Sequence, residues 1–482
     1  MRRVFEFLTV AAASIAALTG PALAQAQPTP APRPNIIHIV ADDLGWKDVG
    51  FNGCVDIKTP NLDKLAAGGA RFTQFYVQPM CTPTRAALMT GRYPFRYGLQ
   101  TAVIPSVADY GLDVDEFLLP QALKDAGYAT AIIGKWHLGH ADKKYWPRQR
   151  GFDYQYGPMI GELDYFTHSE SGVLDWFRDN EPVHEEGYTT TLLGQDAERL
   201  IMTHNANTPL YLYLTFNAPH TPYQAPQEYI DRYKDIEDPT RRIYAGMVTC
   251  LDDEIGRVVA ALDRKGIREN TLILFHSDNG GTRNAIFAGV MADMSKITIP
   301  CDNGEYREGK GTLYEGGTRV CAIANWPGHV KAGTVGGLIH AVDVYPTIAA
   351  LAGASTAKSK PLDGHDVWPT ISHDQASPRD EIIYNIEPFR AAIRQGPWKL
   401  VWRTLLPSNI ELYNMDEDPS ETNNVAAQHP EKVAELRSRL EALAVGSAKP
   451  LFLIHQSKVV QKGMHGQPLL PMDEEFNLIE QP

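Results

Sequence analysis

Asn35-Ile36-Ile37-His38-Ile39-Val40-Ala41-Asp42-Asp43 runs an apolar stretch straight into two aspartates. A short, nearly continuous apolar run suits a strand buried on both faces of a sheet. The same form recurs three times. Ala129–Ile133 leads to Lys135 and His137, Leu210–Phe216 to His220, and Thr271–His276 to Asp278 and Asn279. Helical patterns lie between them, at Thr59–Gly68, Leu118–Ala126, Thr191–Thr203 and Arg242–Lys265. Buried strands alternating with helices predict an α/β layer structure around a mainly parallel sheet. Ligands of such sheets bind beyond the carboxyl ends of the strands. Four strands therefore deliver acids, bases and an amide to one crevice.

Asp42, Asp43, Asp278 and Asn279 are all oxygen donors, and no Cys or His pair has the spacing of a zinc site. A hard cation, Ca²⁺ or Mg²⁺, is the natural occupant. One Asp-Asp pair alone is an ordinary solvated loop; two strand-end clusters make a metal site. Lys135, His137, His220 and Lys310, taken singly, read as surface or hydrogen-bonded residues. Together with Arg85 they supply the local positive charge with which an acidic protein, here of formal net charge -13, holds sulfate or phosphate. The same net charge argues against nucleic acid as a partner.

Pro79-Met80-Cys81-Thr82-Pro83-Thr84-Arg85-Ala86-Ala87-Leu88-Met89-Thr90-Gly91-Arg92 reads as a helix start. Pro83 suits the first turn, and Thr82 is the expected cap. Cys81 then stands at a helix N-terminus with Arg85 one turn on, an environment that favours anions. On local grounds a buried structural cysteine and a low-pKa thiol nucleophile are both open readings.

The 482 residues suffice for more than one domain. Arg2, Arg3, the apolar Val4–Leu18 and Ala22-Leu23-Ala24 predict a signal peptide over 1–24. Its apolar run is short for a membrane span, so no stable membrane insertion is expected after cleavage. Residues 25–34 read as a flexible leader. Residues 35–373 read as the catalytic domain, and 374–482 as a smaller C-terminal α+β domain. That domain has short strands at Ile382–Tyr384, Ala392–Arg394 and Lys399–Trp402, a turn-rich Tyr413–Asn424 and a helix at Pro430–Leu443. Leu451–Pro482 is expected to wrap the surface. Five cysteines leave one odd thiol in an exported chain. Cys54, Cys250, Cys301 and Cys321 read as structural cysteines available for pairing, Cys301 with Cys321 being one option.

The ordered motifs resemble the sulfatase family. Cys81-Thr82-Pro83-Thr84-Arg85 and Leu88-Met89-Thr90-Gly91-Arg92 match its signature Cys-x-Pro-x-Arg and the continuation. Ala41–Trp46, Gly134–Gly139, Ser277–Gly281 and Lys310 through Gly317 match its other blocks. Pro361–Trp368 and Leu412 through Asn424 are similar to later landmarks of the arylsulfatase B (N-acetylgalactosamine-4-sulfatase-like) group. The resemblance implies an alkaline-phosphatase-like fold, a large mixed sheet sandwiched by helices. It implies that a separate formylglycine-generating enzyme oxidises Cys81 to formylglycine, whose hydrate is the nucleophile. It implies that Asp42, Asp43, Asp278 and Asn279 hold Ca²⁺, in preference to Mg²⁺, together with residue 81. Arg85 then orients the hydrate, Lys135 and Lys310 grip the sulfate, and His220 with Lys310 protonates the leaving oxygen. His137 takes the proton from the second hydroxyl, so that the hemiacetal expels sulfate.

The implied substrate is a sulfate ester, with a sulfated saccharide expected. The signal alone gives the expected address: the periplasm if the source is Gram-negative, secretion otherwise. A phosphodiester or phosphonate monoester hydrolase of the same superfamily and a non-catalytic sulfated-glycan-binding protein are the competing readings. Thr282–Pro300 is longer and more apolar than the family pattern and is expected to cover the site. Asp164, Tyr165 and His168 are candidates for the pocket wall or for a solvated loop.

Overall fold

The computed structural model describes residues 33–283 and 299–464. The signal, almost all of the leader, most of Thr282–Pro300 and the end of the C-terminal segment lie outside these residues. All four apolar runs are strands: Asn35–Ala41, Ala129–Gly134, Leu210–Thr215 and Thr271–Ser277. With Tyr154–Gly157 they form the parallel centre of a ten-stranded sheet, in the order Thr271, Asn35, Leu210, Ala129, Tyr154. Antiparallel neighbours, Ala322–Asn325 on one side and Phe177–Arg178 on the other, make the sheet mixed.

Alternation along each strand explains why helices cover both faces. Ile36 and Val40 join Tyr211, Tyr213, Leu272 and Leu274 in one apolar cluster, with the helices Cys81–Thr90, Leu119–Asp125 and Ala341–Ala352. Ile37, Ile39 and Ala41 point the other way, toward Pro60–Ala67, Thr189–Thr203 and Pro239–Lys265. The longest helix, Pro239–Lys265, starts where Asp238 accepts from the Arg241 amide at 2.8 Å, and stops at Gly266 with φ 73. Among the described residues no helix is long and apolar enough to cross a membrane.

Register brings the polar strand ends together. Ala41 pairs with Ser277, and one residue beyond lie Asp42 and Asp278. Thr215 pairs with Gly134, one residue before Lys135.

Toward the C-terminus a separate antiparallel sheet runs Glu381–Ile386, Arg390–Gln395, Trp398–Arg403, Asn409–Asn414. Its fourth strand takes in Tyr413, which the turn-rich reading had placed in a loop. The helix Pro430–Ala444 follows as expected. Leu451–Met464, in the segment expected to wrap the surface, is a helix whose first residue bonds back to Gly98. The sheet is tied to the Lys310 loop by a buried ion cluster. Lys399 Nζ lies 2.9 Å from Glu315 Oε1 and 2.7 Å from Glu421 Oε1.

Candidate active site

Cys81 is the first residue of its helix. Met80 occupies the cap position without a side-chain bond, so Thr82 does not cap as expected. The helix starts two residues earlier than the Thr82 reading requires, at Cys81 instead of Pro83, which takes the Thr82 hydroxyl out of the cap position. It donates to the His137 carbonyl at 3.0 Å and accepts from the Ile104 amide at 3.1 Å. Thr82 thus fixes the histidine loop against the helix that carries Cys81.

The four strand ends converge on Cys81. Its Sγ lies 3.4 Å from Asp42 Oδ1. Arg85 donates through Nε and Nη2 to Asp278 Oδ2 at 3.1 and 2.8 Å, and through Nη1 to the Lys135 carbonyl at 3.0 Å. Lys135 Nζ is bound to Asp42 Oδ2. Lys310 Nζ is 2.8 Å from Asp43 Oδ2 and 3.0 Å from His220 Nε2. Asp43 itself sits at φ 61 and His137 at φ 56, left-handed backbone that turns each chain sharply as it leaves its strand. All the site residues named from the sequence are therefore brought together.

Burial decides the protonation states. It raises the Cys81 thiol well above its ordinary range, and the Asp278 and Asp42 carboxylates add to the effect. A low-pKa thiolate nucleophile is therefore not what this pocket makes. Burial also opposes the charged form of Asp43, but Lys310 and His220 outweigh it and hold that carboxyl below its usual range. Burial and then Lys310 push His220 down to about 4. The neutral ring donates Nδ1–H to the Thr221 carbonyl at 2.7 Å, leaving Nε2 to accept from Lys310. His137 is lowered well below 6.5, by burial first and then by Lys135 and Arg85. Its Nε2–H donates to the Ile104 carbonyl at 3.0 Å, and its buried Nδ1 has no partner among the described residues.

The donor set fits a hard cation. Asn279 gives Nδ2 to Asp43 Oδ1 at 2.7 Å, and its Oδ1 is buried without a partner among the described residues. Leaving such an acceptor unsatisfied costs about 1–3 kcal/mol, which a cation would offset. Ligand atoms of Asp42, Asp43, Cys81 and His220 also lie within 4.8 Å of one another. Such a buried acidic group could hold a metal ion. Asp42, Asp43 and Asp278 are balanced by Arg85, Lys135 and Lys310. A divalent cation tips this neutral set positive, which an anionic substrate requires.

Several contributors were missed in the sequence. Thr282 Oγ1 donates to Asp43 Oδ2 at 3.2 Å. A Cβ on Gly161 would fall 2.4 Å from His137 Cε1, so only glycine lets the ring sit where it does. The one sequence signal was a glycine in a loop, with nothing to say what it faced. Of Asp164, Tyr165 and His168, the last two are buried rather than solvated. Tyr165 is buried and donates to the Asn217 and His220 carbonyls at 2.8 Å each. His168 stacks on Trp176, and Asp164 accepts from Phe166, Thr167 and Gln224. All five cysteines are unpaired. Cys54 donates to Asp56 and Cys250 contacts Thr191, while Cys301 and Cys321 are buried in the core without a bridge.

Comparison with known proteins agrees with this geometry. A family profile described as Sulfatase matches residues 34–354. A second, described as N-sulphoglucosamine sulphohydrolase, C-terminal, matches residues 304–446. The chain is 36% identical over 438 residues to arylsulfatase J of Mus musculus, covering 88% of this chain and 71% of that protein. It is 35% identical to N-acetylgalactosamine-6-sulfatase of Mus musculus over 75% of this chain and 70% of that one. Among solved structures it is similar to Ps i-CgsB in complex with k-i-k-neocarrahexaose. That similarity has a TM-score of 0.79 at 33% identity and covers 92% of this chain and 100% of the other.

Proposed function

This chain belongs to the sulfatase family and is a sulfuric ester hydrolase with an alkaline-phosphatase-like fold, and on that premise we propose that it removes sulfate from a saccharide at the Cys81 cluster. The observation that carries the reading is Cys81 itself: buried at a helix start, kept protonated, yet ringed by Arg85, Lys135, Lys310, His137 and His220. A thiol so placed is a poor nucleophile but a well-held precursor. Maturation to formylglycine by a separate enzyme would supply a hydrated aldehyde, with one hydroxyl to attack sulfur and a second to drive sulfate release. A cation held by Asp42, Asp43, Asp278, Asn279 and residue 81 would supply positive charge for the anionic substrate; we take it to be Ca²⁺.

The side chains then divide the remaining work. Arg85, held by Asp278, keeps its guanidinium beside residue 81. Lys135 and Lys310 are the ammonium groups free to exchange a carboxylate for sulfate oxygens. Lys310 Nζ and His220 Nε2 share one hydrogen bond, so a proton can pass through this pair to the departing oxygen. His137 presents its unpartnered Nδ1 as the base.

The similarity to N-acetylgalactosamine-6-sulfatase and to a carbohydrate-bound structure supports a sulfated saccharide as substrate. Export, to the periplasm in a Gram-negative source, is proposed from the N-terminal pattern, and the division into a 35–373 catalytic domain and a 374–482 C-terminal domain from the change to short strands after about Asp374. Steady-state rates on paired 4-nitrophenyl sulfate and phosphate test the reading, using chain whose residue-81 aldehyde is verified by mass spectrometry. Sulfate turnover dominates if it holds; dominant phosphate turnover overturns it.

A further inference from the structure

Among the described residues, the floor of the site is sealed. Cys81 is 1% exposed and Arg85, Asp42 and Lys135 are 0%, whereas His137, His220 and Lys310 keep 4%, 7% and 4%. The little exposure that the cluster keeps lies along the edge that carries His137, His220 and Lys310. The turn between the strands Glu381–Ile386 and Arg390–Gln395 bridges this edge. Arg390 Nη1 donates to the Gly311 carbonyl at 2.6 Å, next to Lys310. Asn385 Nδ2 donates to the Gln100 carbonyl at 2.6 Å, in the segment that reaches Ile104 and His137.

The turn carries a fixed polar pair. Glu387 Oε1 accepts from Arg390 Nε at 3.1 Å, Arg390 Nη2 at 2.9 Å and Asn385 Nδ2 at 3.0 Å. These bonds leave Glu387 Oε2 and one N–H on each terminal guanidinium nitrogen without a partner among the described residues. Phe389 stands between them in sequence, 45% exposed. Its carbonyl accepts from Thr404, which leads into the exposed Leu405 and Leu406. An acceptor, two donors and an adjacent aromatic face, held rigid at the mouth of a sulfate site, match one side of a pyranose ring.

We propose that Glu387, Phe389 and Arg390 form a saccharide subsite that holds the sugar bearing the scissile sulfate or its neighbour. Glu387 Oε2 accepts from a ring hydroxyl, Arg390 donates to the adjacent hydroxyl, and Phe389 packs against the apolar ring face. Because Glu387 already balances Arg390, the subsite selects hydroxyls over a second sulfate. The inference rests on the sulfatase reading and adds the sugar side of recognition to it.

The test is competition against 4-nitrophenyl sulfate hydrolysis by the matured full chain. The competitors are 4-O- and 6-O-sulfated galactose and N-acetylgalactosamine, as mono- and disaccharides, with inorganic sulfate as reference. At least one sugar should compete, and Phe389→Ala and Glu387→Gln should each raise its inhibition constant about tenfold relative to that of sulfate, the scale of one lost buried contact. No competition by any sugar, or unchanged constants, overturns the subsite. An equal rise for sulfate and sugar also overturns it, by reducing the turn to a support for Lys310. A matured chain that hydrolyses no aryl sulfate would instead overturn the sulfatase reading.

Discussion

Lys310 Nζ stands 3.0 Å from His220 Nε2, while His220 Nδ1 is held by the Thr221 carbonyl. This fixes both the tautomer and the direction of the hydrogen bond: the ammonium donates and the ring accepts. If the pair delivers a proton to the leaving oxygen, His220→Gln should lower kcat about 10²-fold on a sugar sulfate. The loss should be much smaller on 4-nitrophenyl sulfate, whose leaving group departs without a proton. Equal losses on both substrates would remove the pair from leaving-group protonation.

Chemistry at residue 81 predicts a sharp separation of activity from stability. Cys81→Ala removes one sulfur from a pocket otherwise lined by charged groups, so the thermal midpoint should move little while aryl sulfate turnover disappears. Chain produced without the maturation enzyme should behave in the same way. Calorimetry beside a rate assay checks this, and residual turnover by the alanine variant would contradict it.

Asn279 Oδ1 is the orphaned acceptor of the acidic cluster. Asn279→Ala should weaken cation binding at least tenfold, consistent with loss of one ligand worth about 1.4 kcal/mol or more. Chelation of the parent should lower both activity and the thermal midpoint, and added Ca²⁺ should restore them. Binding that is as tight in the variant as in the parent, measured by titration calorimetry, would move the cation elsewhere.

Gly161 offers a test that touches no functional group. A methyl there meets the His137 ring at 2.4 Å, so the ring must shift away from its Ile104 anchor. Gly161→Ala should cut kcat at least tenfold with KM changed less, because misplacing a base by about 1 Å is costly to rate. A parent-like kcat would show that the His137 position is not critical.

The buried histidines should weaken the fold in acid. His38, His137, His220, His276 and His340 are lowered by burial above all, His220 and His276 to about 4. Their unfolded forms bind protons near pH 6.5, so their contribution is present above that pH and is lost as pH falls toward the folded values. Burial raises Asp175 and Glu421 to about 7 and Asp252 to about 6, and these act in the opposite sense. Asp48, Glu170, Glu254, Asp278 and Glu387 are raised as well, so the histidine part is read by difference, parent against His276→Asn. In urea unfolding at fixed Ca²⁺ the parent should lose more stability than the variant from pH 6.5 to 5, by up to about 1.4 kcal/mol per pH unit. Equal slopes in parent and variant would contradict the assignment.

The four apolar runs and the residues at their ends were legible because a strand buried on both faces must be apolar almost throughout, and its polar residues collect where it leaves the sheet. Sequence alone therefore determined the α/β class, the edge on which the chemistry sits, and the membership of the cluster from Asp42 to Lys310. It could not determine where the Cys81 helix begins, since a shift of two residues decides whether Thr82 caps a helix or clamps the His137 loop. Nor could it show that Gly161 faces a ring, that Tyr165 braces His220, or that Lys399 in the second sheet holds Glu315. These contacts join residues far apart in the chain, and no local periodicity encodes them. Cys81 is the sharpest case. Its motif marked it as special, but only packing beneath Asp42 and Asp278 decided that its thiol stays protonated, because burial and two carboxylates outweigh the nearby lysines.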